Sequence, residues 1–316
     1  MVKKKVLVTG GSGYIGARLC LHLAKEGYLV TALCHSKIPD DNEWVSQMDR
    51  VIVGDVRNEE FLDELSDYDY EVLIHLVSLD HHQSNSIPSI VTSVNVTPVW
   101  SLLDVFSKKG LSKFIYFSTA QVYGILQNEV ITENSATDTR NAYGLTHYIG
   151  EMLCDYYNRI SSIECRVVRL SNSYGAPIFE ENNCWWLVVN DLCKMAYCQK
   201  KIILQSDGTP LRDFIHGWDL CHGVQAIIET SEPYTTYNLS TGNTFSILEI
   251  AKKVQTVYAK RYGIELPLVV TKNKTNSKPS LYKLDNSLIK SIDFEPKWTL
   301  EDGIDDLFNY LEKIKK

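Results

Sequence analysis

Several things are missing from this chain of 316 residues. Its eight cysteines, Cys20, Cys34, Cys154, Cys165, Cys184, Cys193, Cys198 and Cys221, include no C-x-x-C pair. Without zinc-site spacing they read as reduced, small apolar fillers, and no metal is expected. Positive charge is in deficit, with 32 Lys and Arg against 39 Asp and Glu and a net charge of −7. That excludes a large basic face, so no nucleic-acid partner is expected. No run of about 20 apolar residues is seen, so no membrane partner is expected either. The opening Met1–Lys5 is followed only by Val6–Val8 before Thr9 and glycine, too short a stretch for a secretory leader, which predicts a cytoplasmic protein. Repeats, low-complexity tracts and charge blocks are absent as well. What remains is the composition of an ordinary globule, 44% hydrophobic and 22% charged, with room for a large α/β domain and a smaller lobe.

Short apolar runs at 5–9, 29–34, 50–54, 71–75, 113–118 and 165–170 read as buried strands. Helical periodicity falls between them over 14–25, 90–108 and 143–160. Strand and helix alternate through the first 170 or so residues, which predicts a doubly wound parallel sheet. Beyond 176 the alternation loosens. The expected division is therefore a cofactor domain over 1–175, rejoined by about 212–245, with 176–316 forming mainly a substrate-binding lobe.

Thr9-Gly-Gly-Ser-Gly-Tyr-Ile-Gly16 lies directly between the first strand and the first helix. Gly10, Gly13 and Gly16 suit a turn that brings backbone close to a pyrophosphate, with Tyr14 and Ile15 opening a helix whose amides face the anion. This predicts a bound dinucleotide. An acid at the end of the second strand would bind the adenosine ribose hydroxyls of NAD, but Cys34 stands there, followed by His35, Ser36 and Lys37. With no carboxylate to repel a 2′-phosphate, the expectation leans toward NADP and leaves NAD open. Asp55, followed by Val56, is placed after the third strand to accept from an adenine amino group.

From here the residues resemble the extended short-chain dehydrogenase/reductases, in their nucleotide-sugar epimerase/dehydratase branch. The matching segments run in order: Thr9–Gly16, Gly54-Asp55, Ile74-His-Leu76, Asn95-Val96, Phe117-Ser-Thr-Ala-Gln-Val-Tyr-Gly124, Ala142-Tyr-Gly144, Arg169-Leu-Ser-Asn-Ser-Tyr-Gly175 and Asp207-Gly-Thr-Pro-Leu-Arg-Asp-Phe-Ile-His216. The resemblance implies a Rossmann fold and a nucleotide-sugar substrate. It places Leu76 by the cofactor and makes Tyr143 the acid/base, with Thr119 sharing its hydrogen bond. Asn172 and Arg212 would meet the substrate diphosphate, for which a planar guanidinium is well suited.

One departure is chemical. The family motif Y-x-x-x-K reads Tyr143-Gly-Leu-Thr-His147 here. His147 keeps the same helix face one turn on, but histidine is mostly neutral at pH 7 and does little to stabilise a phenolate. His147 as a working substitute, another cation in its place, and a catalytically weak dinucleotide-binding or sensor protein all remain open. Tyr197-Cys-Gln-Lys-Lys201 repeats the Y-x-x-x-K spelling by chance. The family's second phosphate-binding arginine is not evident, and Lys272, Lys274, Lys278 and Lys283 offer cations instead.

Ala120 and Gln121 stand where the family's 4,6-dehydratases carry Asp-Glu, so dehydration is not expected. A C4 epimerase and a 4-ketoreductase both fit. Of the pair His81-His82, which falls near the expected hexose pocket, His81 is taken as a sugar contact; neighbours do not both face one ligand along a regular element. The resemblance also implies a homodimer through the helices at 90–108 and 143–160.

Overall fold

The computed structural model describes residues 3–125, 129–271 and 281–314. Its centre is a seven-stranded sheet in the spatial order Thr236–Leu239, Glu164–Leu170, Lys113–Thr119, Val72–His75, Lys5–Thr9, Leu29–Cys34 and Arg50–Val53. Every neighbouring pair is parallel. Chain order reverses between Lys5–Thr9 and Val72–His75, and the crevice at their carboxyl ends is where ligands of doubly wound sheets bind.

The strands form because their side chains are buried on both faces. Val6 and Val8 pack with Ala17, Leu19, Leu23 and Ile227 on one side. Leu7 turns the other way, onto Leu73, Leu102 and Phe114. Each such burial is worth about 1.5–3 kcal/mol. The helix Tyr14–Lys25 follows the first strand, and Gly217–Glu229 packs beside it.

A smaller body lies beyond the sheet. Thr244–Ser246, Leu211–His216 and Asn172–Tyr174 make a three-stranded sheet in that order. Asn172 is registered against Phe214, which brings the stretches around 172 and 212 together. Helices Val188–Gln199, Ile247–Tyr262 and Leu300–Ile314 enclose a separate core that includes Leu192, Ile250, Val254, Leu307 and Phe308. The late strand Thr236–Leu239 crosses back and pairs with Glu164–Leu170 in the large sheet.

Two sequence expectations need correction. The single helix over 90–108 is two helices, Pro88–Asn95 and Thr97–Ser107, broken at Val96. Pro98 lacks an amide hydrogen and its ring crowds the carbonyl four residues back. The same stretch, Pro88–Ser107, contains an 18-residue window of mean hydropathy 1.3 and passes for a membrane span by length and composition only. Here it packs against the helices Glu59–Ser66 and Ala142–Ile160. Of the four late lysines, Lys272, Lys274 and Lys278 lie outside the described residues, and Lys283 is exposed in a two-stranded sheet with Val130–Ile131.

Candidate active site

Thr119 ends the strand Lys113–Thr119 at the crevice, and its hydroxyl accepts from the Gln121 amide at 3.2 Å, capping the short turn Ala120–Tyr123. Across from it, the Asn141 side chain caps the helix Ala142–Ile160 by accepting from the Gly144 amide at 2.7 Å. Asn141 also donates to the Gln121 side chain at 3.1 Å, tying the two turns together. Tyr143 is thereby set in the first helical turn beside Thr119. Burial pushes its phenol up to about 12; the nearby Thr119 hydroxyl opposes the rise, and the charge of Asp80 adds to it.

His147 follows one turn later, its ring edge-on to Tyr143 with centroids 4.4 Å apart. Nδ1 lies 3.1 Å from the Phe117 carbonyl oxygen and 3.2 Å from the Tyr116 hydroxyl. Burial lowers its pKa to about 4, so the ring is neutral at physiological pH. The structure thus brings Thr119, Tyr143 and His147 together, and no lysine or arginine of the described residues figures among the groups that shift the Tyr143 phenol.

The glycine turn has the shape a phosphate needs. Gly10 sits at φ +73°, the Gly13 amide donates to the Gly10 carbonyl at 2.9 Å, and Gly13 caps the helix Tyr14–Lys25. A Cβ on Gly16 would strike the Gly10 carbonyl, and Leu76 lines the other side of Gly10. These are the features of a backbone cradle into which a dinucleotide pyrophosphate fits. Tyr14 and Ile15 contribute through the backbone rather than their side chains. The Tyr14 hydroxyl donates to the Gly175 carbonyl at 3.0 Å, and Ile15 packs on the core.

At the end of the second strand His35, Ser36 and Lys37 are exposed and Cys34 is buried. Lys37 pairs with Asp40 at 2.9 Å, and the His35 ring lies 3.5 Å from Asp55. Arg57 holds the Asp55 carboxylate at 2.9 and 2.5 Å, keeping it far below the usual carboxylate range. Asp55 is thus bound to its own loop, while Val56 is buried in the core. Beside this loop a cavity of about 470 Å³ is lined by Asp40, Asp41, Glu180 and Glu181, among others.

On the sugar side His81 meets Tyr143 edge-on at 6.2 Å, and its Nδ1 is buried without a partner among the described residues. Its neighbour His82 faces Trp186 of the smaller body at 6.5 Å. Asn172 donates to the Asp213 carbonyl at 2.9 Å, so it shares one sheet with Arg212. Asp213 turns inward to Thr241 at 3.1 Å, and the exposed Arg212 guanidinium donates to the Leu211 carbonyl at 2.7 Å. Arg212 makes no ion pair with Asp213 or with any other described residue.

Sequence reasoning missed the supports. Asn95 accepts from the Leu79 amide at 2.8 Å and donates to Thr146 at 3.0 Å, fixing the loop that carries His81 to the helix that carries Tyr143. Asp80 accepts from the amides of His82 and Gln83, each at 2.8 Å. Asn182 reaches from the smaller body to the Ser12 carbonyl in the cradle at 3.0 Å. The only local signal for any of these was Asn95-Val96 in the family pattern; the rest meet through tertiary contacts.

This geometry has known counterparts. A chain from Oryza sativa subsp. japonica named UDP-glucose 4-epimerase 2 is 27% identical over 98% of this chain and 82% of its own length. UDP-glucose 4-epimerase of Bacillus subtilis is 29% identical over 81% of this chain and 82% of its own. A solved UDP-glucose 4-epimerase is 25% identical and superposes over 99% of both chains with a TM-score of 0.86. UDP-glucuronic acid 4-epimerase from Bacillus cereus, solved with UDP-glucuronic acid and NAD, shares the fold at a TM-score of 0.80, 24% identical over 98% of this chain and 99% of its own. The profile of the NAD dependent epimerase/dehydratase family matches residues 6–240, and to that family this chain belongs.

Proposed function

We propose that this protein is an NAD-dependent epimerase that inverts C4 of a UDP-activated sugar. The observation that carries the reading is the placement of Tyr143 beside Thr119 and His147 at the carboxyl end of the sheet that also bears the glycine cradle. A bound nicotinamide dinucleotide supplies hydride transfer at the sugar carbon. Tyr143, as its phenolate, takes the proton of the C4 hydroxyl and, as the phenol so formed, returns it, while the Thr119 hydroxyl orients the exchange. Asn172 and Arg212 hold the diphosphate, His81 contacts the hexose, and His147 sits behind the phenol as a neutral partner. Ala120 and Gln121 supply no acid or base for water loss, which favours epimerisation over dehydration.

For the cofactor, NAD is favoured over NADP. The missing carboxylate at Cys34 supports NADP. However, His35, Lys37 and Arg57 are already paired, and four carboxylates line the adjoining cavity, so a 2′-phosphate would gain little there. Tighter binding of NADP than of NAD would reverse that choice. Dimerisation is supported by exposed apolar residues on touching helices: Ile90 and Trp100 on one side, Leu145, Met152 and Tyr156 on the other. The eight unpaired thiols, seven of them buried, suit the reducing cytosol.

The decisive experiment follows UDP-glucose, UDP-galactose and the corresponding UDP-uronic acids by proton NMR with purified protein and NAD. Interconversion of C4 epimers is expected. Binding of NAD without inversion of any of these would instead support the dinucleotide-binding or sensor reading.

A further inference from the structure

His147 is held in a way that fixes which of its nitrogens carries the proton. Nδ1 is 3.1 Å from the Phe117 carbonyl oxygen, and a carbonyl oxygen only accepts. A neutral imidazole has one N–H, so that proton is on Nδ1 and Nε2 is a bare lone pair. The Tyr116 hydroxyl, 3.2 Å from Nδ1, can accept from the same N–H. Tyr116 is itself confined: its hydroxyl fills the space a Cβ would occupy on Gly150, and His75 stacks on its ring at 15°. His75 is pinned in turn by Thr9 at 2.8 Å.

The Nε2 atom of His147 is buried and has no hydrogen-bond partner among the described residues, in a residue that is only 4% exposed. A buried acceptor left unpaired is costly, and such groups in native structures call for an explanation. The adjoining ring is Tyr143, edge-on at 4.4 Å.

We propose that His147 is a hydrogen-bond acceptor of the active site, its Nε2 receiving a hydroxyl donor from the bound molecule, with the Phe117 carbonyl and Tyr116 fixing the tautomer. A lysine at this place has three donors and no acceptor, so the chain reverses the polarity of the contact. The donor is a hydroxyl of a vicinal diol, which either a cofactor ribose or a hexose provides. The proposal rests on the functional reading above, which assigns such ligands to this crevice.

The test uses full-length protein labelled with ¹⁵N-histidine near neutral pH, the His147 signals being identified by their loss in His147→Gln. In free protein, Nδ1 is expected to be of the protonated type and Nε2 of the bare type. NAD and UDP-glucose are then added separately while equilibrium dialysis measures uptake. Nε2 should shift toward the protonated type in the arm that supplies the hydroxyl. His147→Gln, which retains an acceptor oxygen, should bind that ligand within about threefold of wild type, and His147→Leu about tenfold more weakly, the worth of one neutral hydrogen bond.

A bare Nδ1 or a doubly protonated ring in the free protein overturns the proposal. So does an Nε2 unmoved by either ligand while dialysis shows both bound. Equal losses in the Gln and Leu variants also overturn it. If dialysis finds no uptake of either ligand, the functional reading fails and the acceptor role with it.

Discussion

The rings of Tyr143 and His147 meet edge to face at 4.4 Å, and neither carries charge at neutral pH. Burial raises the phenol to about 12 and lowers the imidazole to about 4. A hydroxyl and an uncharged ring stand beside this phenol, where the family motif has an ammonium group.

That arrangement sets the pH profile. Because His147 stays neutral above about pH 5, turnover should show no inflection near 6.5, and should climb with pH as the phenolate fraction grows about tenfold per unit below 12. His147→Lys should raise turnover at pH 7 by about tenfold for each unit the ammonium lowers the phenol, and flatten the profile below pH 8. Rates of C4 inversion from pH 6 to 9 check this; a large loss in the lysine variant would show that the imidazole has a task a cation cannot perform.

Tyr143→Phe should lower turnover by about 10²–10⁴-fold, the usual worth of a positioned acid/base, and leave NAD binding intact. Thr119→Val should cost less, because it removes one partner of the phenol rather than the phenol itself. Turnover and cofactor titration measured on the same preparations separate the two effects.

Arg212→Ala should raise the KM for the UDP-sugar by about 10–100-fold, as expected for loss of a charge-assisted hydrogen bond, with little change in NAD affinity. The guanidinium is exposed and makes no ion pair with a described residue, so its removal should not disturb the fold. Thermal melting together with KM distinguishes a binding role from a structural one.

Acid should destabilise the protein in a defined window. Burial lowers the pKa of His75 and His216 to about 3 and that of His147 to about 4. In the unfolded chain these groups take up protons near 6.5, while the folded chain resists until much lower pH. Stability is therefore fully present above about 6.5 and falls as pH drops toward 4, with a slope of up to about 1.4 kcal/mol per unit for each histidine. Urea midpoints measured from pH 7.5 to 4.5 test this, and the slope should shrink in His216→Asn if that variant folds.

The parallel sheet and the cradle were legible from sequence because each is written locally, in apolar runs of strand length and in glycines at three-residue spacing. Thr119 and Tyr143 were picked out by the family resemblance, and only the single helical turn from Tyr143 to His147 is local. The break at Val96 was missed although Pro98 was in view, because the periodicity on both sides concealed it. Lys37 and Arg57 illustrate the opposite case. Their charges were plain, while their neutralisation by Asp40 and Asp55 depends on how the loops fold back.

The order of residues alone determined the fold class, the phosphate turn and the exchange of lysine for histidine, because burial periodicity and backbone geometry act over a few neighbouring positions. Only the tertiary structure decided the protonation pattern of the site. Whether His147 is charged, which of its nitrogens is bare, and what supports the loop of His81 are set by Phe117, Tyr116, Asn95 and Thr146, groups brought together across the sheet. Desolvation and hydrogen-bond direction exist only once those distant segments have packed.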